Sequence, residues 1–330
     1  MQAAAVVAHP RLSIIIVSWN VRELLDRALK SVYLSAMPPL SYEVIVVDNA
    51  SSDGTPERVV SKYPNVRLIA NKTNLGFAAA NNQGIAVARG DLLLLLNSDT
   101  EVVGDALRDL VAHIDAHPEI GLVGPRLLNG DGSTQSSRRR FPTLPILFLE
   151  STWLQGRMSK RAATRYFVTD QSENQVQEVD WVVGAAMLVR RTVVEAIGGL
   201  DEGFFMYSEE LDWCRRIRAA GWKVAYIPHA RVIHHGGKSS EQVAPARHIY
   251  FQASKVRYAR KYHGWLVAEL LRAWLLAQYG WQIVVEGAKW LVGHRRDLRA
   301  SRIQAYVTVI GTGLRQPRRD SALPERTRDP

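Results

Sequence analysis

A run of five leucines constrains the fold of this 330-residue chain more than any other feature. Residues 92–96 are all leucine, and Asn97, Ser98 and Asp99 follow directly. A fully apolar run of this length is typical of a central parallel strand that is buried on both faces. In open α/β sheets, ligands collect at the carboxyl ends of such strands, so we expect Asp99 beside a ligand. The alternative is that Ser98 and Asp99 only cap a following helix.

Strand and helix patterns alternate through the first hundred residues. Apolar strand patterns at 12–17, 43–48 and 66–69 are each followed by a segment with helical spacing of its apolar residues. This alternation predicts an α/β fold with a mixed, mostly parallel sheet flanked by helices. Later segments continue it, with strands at 120–123, 181–189, 223–227 and 230–233, a helix at 208–220, and a loop region at 150–180.

Charge and cysteine content indicate the cellular compartment and the binding partners of the chain. Cys214 is the only cysteine, so no intramolecular disulfide can form, which fits a cytoplasmic protein. Residues 293–330 hold nine arginines and four acidic residues, a net charge of +5 out of +10 for the chain. Basic ends of this kind bind anionic membrane surfaces or nucleic acid, although a solvated tail without a partner is the alternative. We predict that residues 311–330 form a disordered basic tail.

Residues 265–292 resemble a transmembrane segment in composition, because they form a largely apolar stretch that contains four tryptophans. Charged and amide residues, among them Glu269, Arg272 and Glu286, interrupt this stretch and exclude an ordinary transmembrane helix. The pattern predicts C-terminal amphipathic helices, two of them hinged near Gly280, that suit the lipid–water interface. The chain is then expected to be peripheral at the inner face of the plasma membrane. The alternative is that these helices pack on the α/β part of the chain or on a second subunit, as in a homodimer.

Five short motifs lie where the predicted strands end or the helices begin. They are Ser18-Trp19-Asn20, Asp48-Asn49, residues 74–82, Asn97-Ser98-Asp99 and Glu209-Glu210-Leu211-Asp212. The order and spacing of these motifs over residues 11–240 resemble glycosyltransferase family 2. That resemblance implies a GT-A fold and inverting sugar transfer from a nucleotide-diphosphate sugar.

The resemblance assigns a donor site to the first motifs. It implies that Asp48 accepts the N3–H of a uracil or thymine ring and that Ser18 and Asn20 line the same pocket. The other donor-binding residues that it implies are Asn49, Asn74, Gly76, Asn97 and Asp99. The alternative for Asp48 and Asn49 is a simple turn.

A divalent cation is also implied. The segment Asn97-Ser98-Asp99 stands where the family has Asp-x-Asp, with asparagine in place of the first carboxylate. Asp99 would then bind Mn²⁺ or Mg²⁺, hard cations that prefer oxygen ligands. His234 matches the later metal-binding histidine of the family, and the adjacent His235 leaves that choice open. An imidazole ligand favours Mn²⁺ somewhat over Mg²⁺.

The catalytic base is implied by the acidic segment. Glu210 stands where the family has its catalytic aspartate, and inverting transfer needs a carboxylate that deprotonates the acceptor hydroxyl. Glu209 or Asp212 can share this role, and the alternative is that these acids only complement a helix dipole behind a Ser208 cap. We expect further acceptor or diphosphate contacts from Arg138, Arg139, Arg140, Trp181 and Gly184, unless the arginines are a solvated charge run.

Within the family, the motifs look most like bacterial rhamnosyltransferases of cell-wall and O-antigen assembly. This implies transfer of L-rhamnose from dTDP-rhamnose to a polyprenyl-diphosphate-linked saccharide. The implied organisation is a nucleotide-sugar half (1–130), an acceptor and catalytic half (131–245), tryptophan-rich helices (246–310) and the tail (311–330).

Other functions stay open to different degrees. A family 2 transferase could use a UDP-hexose on another glycan, and the glutamate at position 210 raises the possibility of an inactive member. A non-catalytic membrane- or nucleic-acid-binding module would leave the strand-end carboxylates without a purpose, so we expect no nucleic-acid partner. A dinucleotide oxidoreductase is disfavoured because no Gly-x-Gly-x-x-Gly follows the first strand.

Overall fold

The computed structural model describes residues 9–35, 40–236 and 244–315. These residues divide into two compact units. The sheet unit contains the described residues within 1–141, 165–202 and 209–239. The helical unit contains those within 142–164, 203–208 and 240–330. Each unit is described by itself below.

Strands and helices alternate through the first hundred residues, as the sequence patterns predict. The strands are β1 (Leu12–Ser18), β2 (Tyr42–Asp48), β3 (Arg67–Ala70), β4 (Leu92–Asn97), β5 (Thr100–Val103), β6 (Ile120–Leu128), β7 (Thr134–Gln135), β8 (Arg138–Arg139), β9 (Gln177–Val179), β10 (Trp181–Val182), β11 (Ala186–Arg190) and β12 (Lys223–His234). The helices are α1 (Arg22–Leu34), α2 (Thr55–Lys62), α3 (Phe77–Val87), α4 (Ala106–Ala116), α5 (Leu144–Leu149), α6 (Lys160–Tyr166), α7 (Arg191–Ile197) and α8 (Glu209–Ala219).

One large sheet organises the sheet unit. Its strand order is β3-β2-β1-β4-β11-β6-β12-β5, with β7 beside β6 and β9 beside β12. Strands β3, β2, β1 and β4 run parallel, β11 is antiparallel to both of its neighbours, and β12 is parallel to β6. The predicted mixed, mostly parallel sheet flanked by helices is therefore confirmed.

The leucine run forms the centre of this sheet. Strand β4 lies between β1 and β11, and all seven residues of β1 are buried. On one face of β1, Ile14 and Ile16 join a core that includes Leu29 of α1. On the other face, a Cβ at Gly84 of α3 would lie 2.4 Å from Cγ2 of Ile15. Only glycine permits this close approach of α3 to β1. Helices α1 and α3 therefore cover the two faces of β1, and only its polar carboxyl end is left for ligands.

Two predicted strand boundaries were wrong. The apolar stretch 181–189 is not one strand, because β10 pairs with β8 in a separate two-stranded sheet while β11 joins the large sheet. Conversely, 223–227 and 230–233 belong to the single strand β12, whose pairing with β6 shifts register between Ile227 and Arg231. A β-bulge of this kind interrupts the period-two pattern without ending the strand.

The helical unit contains three long helices, α9 (Ala244–His263), α10 (Trp265–Leu291) and α11 (Arg296–Thr312). The predicted hinge near Gly280 is wrong, because α10 continues through this residue. A mid-helix glycine costs only about 1 kcal/mol, and the buried Leu275 and Tyr279 of the preceding turn hold the helix in a common core. Within the described part of the chain, no helix has the length and apolar composition needed to cross a bilayer.

The remaining predictions for these regions are partly met. The stretch 150–180, predicted as a loop region, contains α6, β9 and a short 3₁₀ helix at Gln155–Arg157. Helix α11 ends at Thr312, so residues 311 and 312 are helical and not part of a tail, and residues 316–330 lie outside the described residues.

Candidate functional site

The predicted donor residues meet at the carboxyl ends of three neighbouring strands. In the parallel register, Ser18 of β1 is opposite Asp48 of β2, and Val17 is opposite Asn97 of β4. Neighbouring strands lie about 4.8 Å apart, so these ends form one continuous polar edge. The backbone N–H of Asn97 donates to the carbonyl of Ala185 at 2.9 Å, which extends the edge to the residue before β11.

Asp48 has the chemistry of a binding group at this edge. Its Oδ2 accepts the backbone N–H of Ser51 at 2.9 Å. Its Oδ1 is buried and has no hydrogen-bond partner among the described residues, and the same holds for Oγ of Ser18. Burial raises the pKa of Asp48, against the hydrogen bonds from Ser51 that lower it. A buried acceptor without a partner is costly, so an N–H donor from a ligand would relieve it.

Asn20 joins the loops that follow β1 and β2. Its backbone has a positive φ of 52°, a conformation that asparagine tolerates better than most residues. Its Oδ1 accepts the N–H of Ser52 at 2.7 Å, and its own N–H donates to Oγ of Ser51 at 2.9 Å. Asn20 therefore fixes the wall beside Asp48.

Asn49, Asn74 and Gly76 shape the loop before α3. The Nδ2 of Asn49 donates to Oδ1 of Asn74 at 2.8 Å and to the carbonyl of Gly76 at 3.2 Å. Its Oδ1 accepts the N–H of Leu75 at 3.0 Å. Gly76 has a φ of 87°, which glycine adopts without strain. The structure thus brings these three predicted residues together and uses their polar groups to hold the loop in place.

Asp99 and His234 form the candidate metal site. Strand β12 pairs with β5 so that His234 is opposite Thr100, and Nε2 of His234 lies 3.4 Å from Oδ1 of Asp99. Nδ1 of His234 donates to Oε1 of Gln135 at 2.7 Å. Nε2 is buried without a hydrogen-bond partner in the described ranges. The arrangement fits a divalent cation, because the bond at Nδ1 leaves the lone pair of Nε2 directed toward the carboxylate.

His235 lies differently. Its Nε2 is 2.7 Å from Oε1 of Glu101, and its backbone N–H donates to the carbonyl of Asp99 at 2.9 Å. The structure therefore places His234, not His235, beside the Asp99 carboxylate. The residues described contain no group of three or more His, Cys, Asp or Glu side chains that could hold a metal.

The three acids of α8 have different surroundings. Asp212 is fully buried and its Oδ2 accepts from Nε of Arg216 at 2.9 Å, while Arg216 also donates to the carbonyls of Ile197 and Gly199. Asp212 thus holds Arg216 within α8, and Arg216 anchors the helix to these two carbonyls. Glu209 is also buried, and burial together with the negative charge of Glu210 raises its pKa well above the ordinary value. Burial and the neighbouring charge therefore both oppose ionisation of Glu209.

Glu210 is half-buried and packs against Gly184. A Cβ built at Gly184 would lie 3.3 Å from Cβ of Glu210 and 3.7 Å from its carboxyl carbon. Since the next residue, Ala185, binds Asn97 through its carbonyl, Glu210 belongs to the same edge as the metal motif. The helix begins at Glu209, one residue after the predicted start, and Tyr207 and Ser208 before it have positive φ angles of 70° and 64°. Non-glycine residues in this conformation store strain, as is common near functional sites.

The three consecutive arginines are held by intramolecular contacts. Nη1 of Arg138 donates to Oε1 of Gln177 at 2.8 Å, and Arg139 lies 4.7 Å above the ring of Phe167. Arg140 is 3.5 Å from Asp180. Nε1 of Trp181 donates to the carbonyl of Arg140 at 3.0 Å, which ties β10 to β8. A diphosphate-binding role of these residues stays a prediction and would compete with these contacts.

Gln135 is the site residue that sequence reasoning missed. It lies in a polar, glycine-containing loop with no motif around it, and only the pairing of β7 with β6 brings it beside β12. Gly184 was predicted to contact the acceptor, but its packing against Glu210 was not foreseen.

Comparisons with known proteins agree with this geometry. The model of the family described as Glycosyl transferase family 2 matches residues 13–198. An N-acetylglucosaminyl-diphospho-decaprenol L-rhamnosyltransferase of Mycobacterium tuberculosis is 31% identical over 276 residues, which cover 78% of this chain and 87% of that protein.

Solved structures show the same fold. A mannosyltransferase, PcManGT from Pyrobaculum calidifontis in complex with GDP-Man and Mn²⁺, superposes with a TM-score of 0.53 at 17% identity, over 93% of this chain and 87% of that chain. GalNAc-T7 with UDP, GalNAc and Mn²⁺ gives 0.53 at 19% identity, over 68% of this chain and 43% of that chain. The sheet and the matches together show that the chain is a hexosyltransferase with a GT-A fold that belongs to glycosyltransferase family 2.

Proposed function

We propose that the chain is a metal-dependent inverting transferase that moves L-rhamnose from dTDP-rhamnose onto a polyprenyl-diphosphate-linked saccharide. The observation that carries the proposal is the polar edge itself, where Asp48, Asp99 and Glu210 follow one another across adjoining strand ends. The choice of sugar and acceptor follows the name of the mycobacterial relative. The product would serve cell-wall or surface polysaccharide synthesis.

Asp48 would bind the donor base. Its buried Oδ1 can accept the N3–H that both thymine and uracil carry. Asp48 alone therefore does not separate a dTDP-sugar from a UDP-sugar, and a UDP-hexose on another glycan is the second candidate. Ser18, with its buried Oγ, would contribute to the same pocket.

Asp99 and His234 would hold Mn²⁺ or Mg²⁺, with Mn²⁺ favoured by the imidazole. The ion would stabilise negative charge on the departing nucleoside diphosphate. Gln135 fixes the orientation and tautomer of His234 through the 2.7 Å bond at Nδ1.

Glu210 would take the proton of the acceptor hydroxyl as this oxygen attacks the anomeric carbon. Asp212 is bound to Arg216 and is buried, so its carboxylate is not available for this step. Glu209 would support the base as a buried neighbour, and burial together with the charge of Glu210 raises the pKa of Glu209. We therefore assign the base role to Glu210 and positioning roles to Glu209 and Asp212.

The acceptor class implies a place at the membrane. A saccharide carried on a polyprenyl diphosphate has its lipid in the bilayer, so we propose that the chain works as a peripheral protein at the inner face of the plasma membrane.

The test is transfer of labelled rhamnose from dTDP-rhamnose to a synthetic N-acetylglucosaminyl-diphosphoryl-polyprenol with Mn²⁺. Wild type is compared with Glu210→Gln and with Glu195→Gln, a matched change at an exposed glutamate of α7. We expect product from wild type and Glu195→Gln, and loss of at least a hundredfold in rate for Glu210→Gln. Undiminished transfer by Glu210→Gln would move the base elsewhere.

A panel of UDP-, GDP- and dTDP-sugars completes the test. Product from a UDP-hexose but not from dTDP-rhamnose would establish the second candidate. No turnover of any donor by wild type would contradict the proposed activity and support an inactive or purely binding role.

A further inference from the structure

Helix α10 exposes one continuous apolar face. We call this the outward face of α10, and its residues are Leu266, Leu270, Ala273, Ala277, Trp281, Val284, Ala288 and Leu291, all of them exposed. At 100° per residue they fall within an arc of roughly 80°, and at 1.5 Å per residue the face is about 38 Å long. No charged or amide residue belongs to it.

The opposite face of the same helix holds the polar groups. Gln278 and Glu286 are buried there. Oε2 of Glu286 accepts from Nη1 of Arg299 at 2.7 Å, and Arg302 and Lys289 lie within 3.6 Å of the same carboxylate.

Leu271 and Leu275 of the same helix are buried in the core, so α10 has apolar residues both on its core side and on its outward face. In a helix adapted to water on its outer side, charged residues such as Glu286 would face solvent. The exposed apolar residues, together with the buried and ion-paired Glu286, indicate that the outward face meets an apolar phase.

The two ends of α10 are rich in tryptophan, and the segment after the helix is basic. Trp281 belongs to the outward face, and Trp265 and Trp290, close to the two ends of α10, are also exposed, roughly 120–140° around the helix from the centre of this face. Arg295 and Arg296, just beyond the helix, are exposed, and Arg296 lies 5.3 Å above the ring of Trp290. Indole rings favour the boundary between lipid tails and head groups, and arginines beside them attract anionic head groups.

We propose that the outward face of α10 lies in the interfacial layer of an anionic bilayer, with the helix parallel to the membrane plane. An interfacial helix buries its apolar face about 5–10 Å deep, which the leucine, valine and tryptophan side chains of this face can reach. A second copy of the chain is less favourable on this face, because it would bring two sets of exposed arginines together. This inference specifies which face of the chain contacts the membrane in the proposed function. It rests on the proposed function only in explaining why membrane contact would be useful.

Vesicle co-sedimentation tests the proposal. The full chain is mixed with phosphatidylcholine vesicles, with or without about one quarter phosphatidylglycerol. Wild type is compared with Val284→Glu on the outward face, whose valine is 61% exposed, and with Val60→Glu on α2, whose valine is 65% exposed. The two variants make the same chemical change at equal exposure, and their thermal midpoints are compared with that of wild type to show that both fold.

We expect wild type and Val60→Glu to bind the anionic vesicles roughly a hundredfold more tightly than the neutral ones, and high salt to remove most of this difference. Val284→Glu should bind the anionic vesicles at least about tenfold more weakly than wild type. Equal binding by Val284→Glu and Val60→Glu, or no binding by wild type, would overturn the proposal. So would a wild-type dimer that ignores vesicles and becomes a monomer on Val284→Glu substitution, because a second copy would then cover the face.

Failure of this inference is distinguishable from failure of the proposed function. Transfer to a short, water-soluble acceptor analogue does not require a bilayer. Val284→Glu should keep wild-type transfer to that analogue while it loses vesicle binding. Vesicle binding without transfer would support the membrane role of the outward face of α10 and contradict the proposed transfer reaction. Transfer without vesicle binding would support the reaction and contradict the membrane role of this face.

Discussion

Replacing Gln135 by leucine should weaken metal binding without touching a metal ligand. The change removes the oxygen that accepts the hydrogen bond from Nδ1 of His234 at 2.7 Å. The His234 side chain itself is only 11% exposed. Loss of such an outer partner typically lowers metal affinity 10- to 100-fold, about 1.4–2.7 kcal/mol. Gln135 is half-buried, so water can reach Nδ1 and replace part of the bond. We therefore expect the lower end of this range, about a tenfold loss.

The assay is the Mn²⁺ concentration that gives half-maximal transfer, with a direct Mn²⁺ titration of the protein in the presence of dTDP as an activity-independent measure. His235→Gln is the matched control, because His235 bonds to Glu101 and not to Gln135. We expect His235→Gln to keep wild-type Mn²⁺ dependence. The reasoning is refuted if Gln135→Leu leaves the Mn²⁺ affinity unchanged, or if His235→Gln lowers it more than Gln135→Leu does.

Four further predictions concern two carboxylates and two helix glycines. Asp48→Asn should raise the donor KM about tenfold with little change in kcat, and an unchanged KM for this variant would contradict the pocket assignment. Because burial raises the pKa of Asp48, the donor KM of the wild type should itself rise in mildly acidic buffer. Glu209→Gln should leave the thermal midpoint unchanged near pH 4 and raise it above that of wild type near pH 8. The sign follows because burial and the Glu210 charge raise the pKa of Glu209, so that folding holds a proton that the unfolded chain releases above about pH 4.3; a midpoint difference that shrinks with rising pH would contradict it. Gly84→Ala should lower stability by about 1–3 kcal/mol because its Cβ meets Ile15. Gly280→Ala, where a Cβ meets nothing within 4 Å, should instead raise the midpoint, and a loss there would revive the predicted hinge.

The sheet was predictable because its strands carry the strongest local signal. A parallel strand covered on both faces has to be apolar throughout, and the leucines of β4 and the isoleucines of β1 show this directly. The errors arose where pairing, not composition, decides. The apolar residues on either side of Gly184 look like one strand, but they separate because β10 pairs with β8 and β11 pairs with β4.

The site was predictable as a set of strand ends but not as a set of contacts. Parallel topology alone brings Ser18, Asp48 and Asn97 together. The position of His234 beside Asp99 depends on the pairing of β12 with β5, and its bond to Gln135, 99 residues away in sequence, carries no local signal. In the same way, only the partner Arg216 shows that Asp212 is an anchor.

The outward face of α10 was only partly predictable from the sequence. Amphipathic helices suited to the lipid–water interface were expected, but the sequence alone does not show that Glu286 is buried. Its burial depends on the ion pair with Arg299, which belongs to the next helix. Which face of an amphipathic helix is buried therefore depends on the charged side chains that neighbouring helices supply.

The single cysteine makes the chain ready for site-specific spectroscopy. Cys214 is buried within α8, and burial raises the pKa of its thiol to about 12. Alkylating reagents attack thiolates, so they leave this residue unmodified in the native protein. A cysteine placed at an exposed position, such as Val284, would be the one reactive thiol of the described chain and could carry a spin label or a fluorophore without prior removal of the native residue. The depth of each labelled position in a bilayer could then be measured on an otherwise native enzyme.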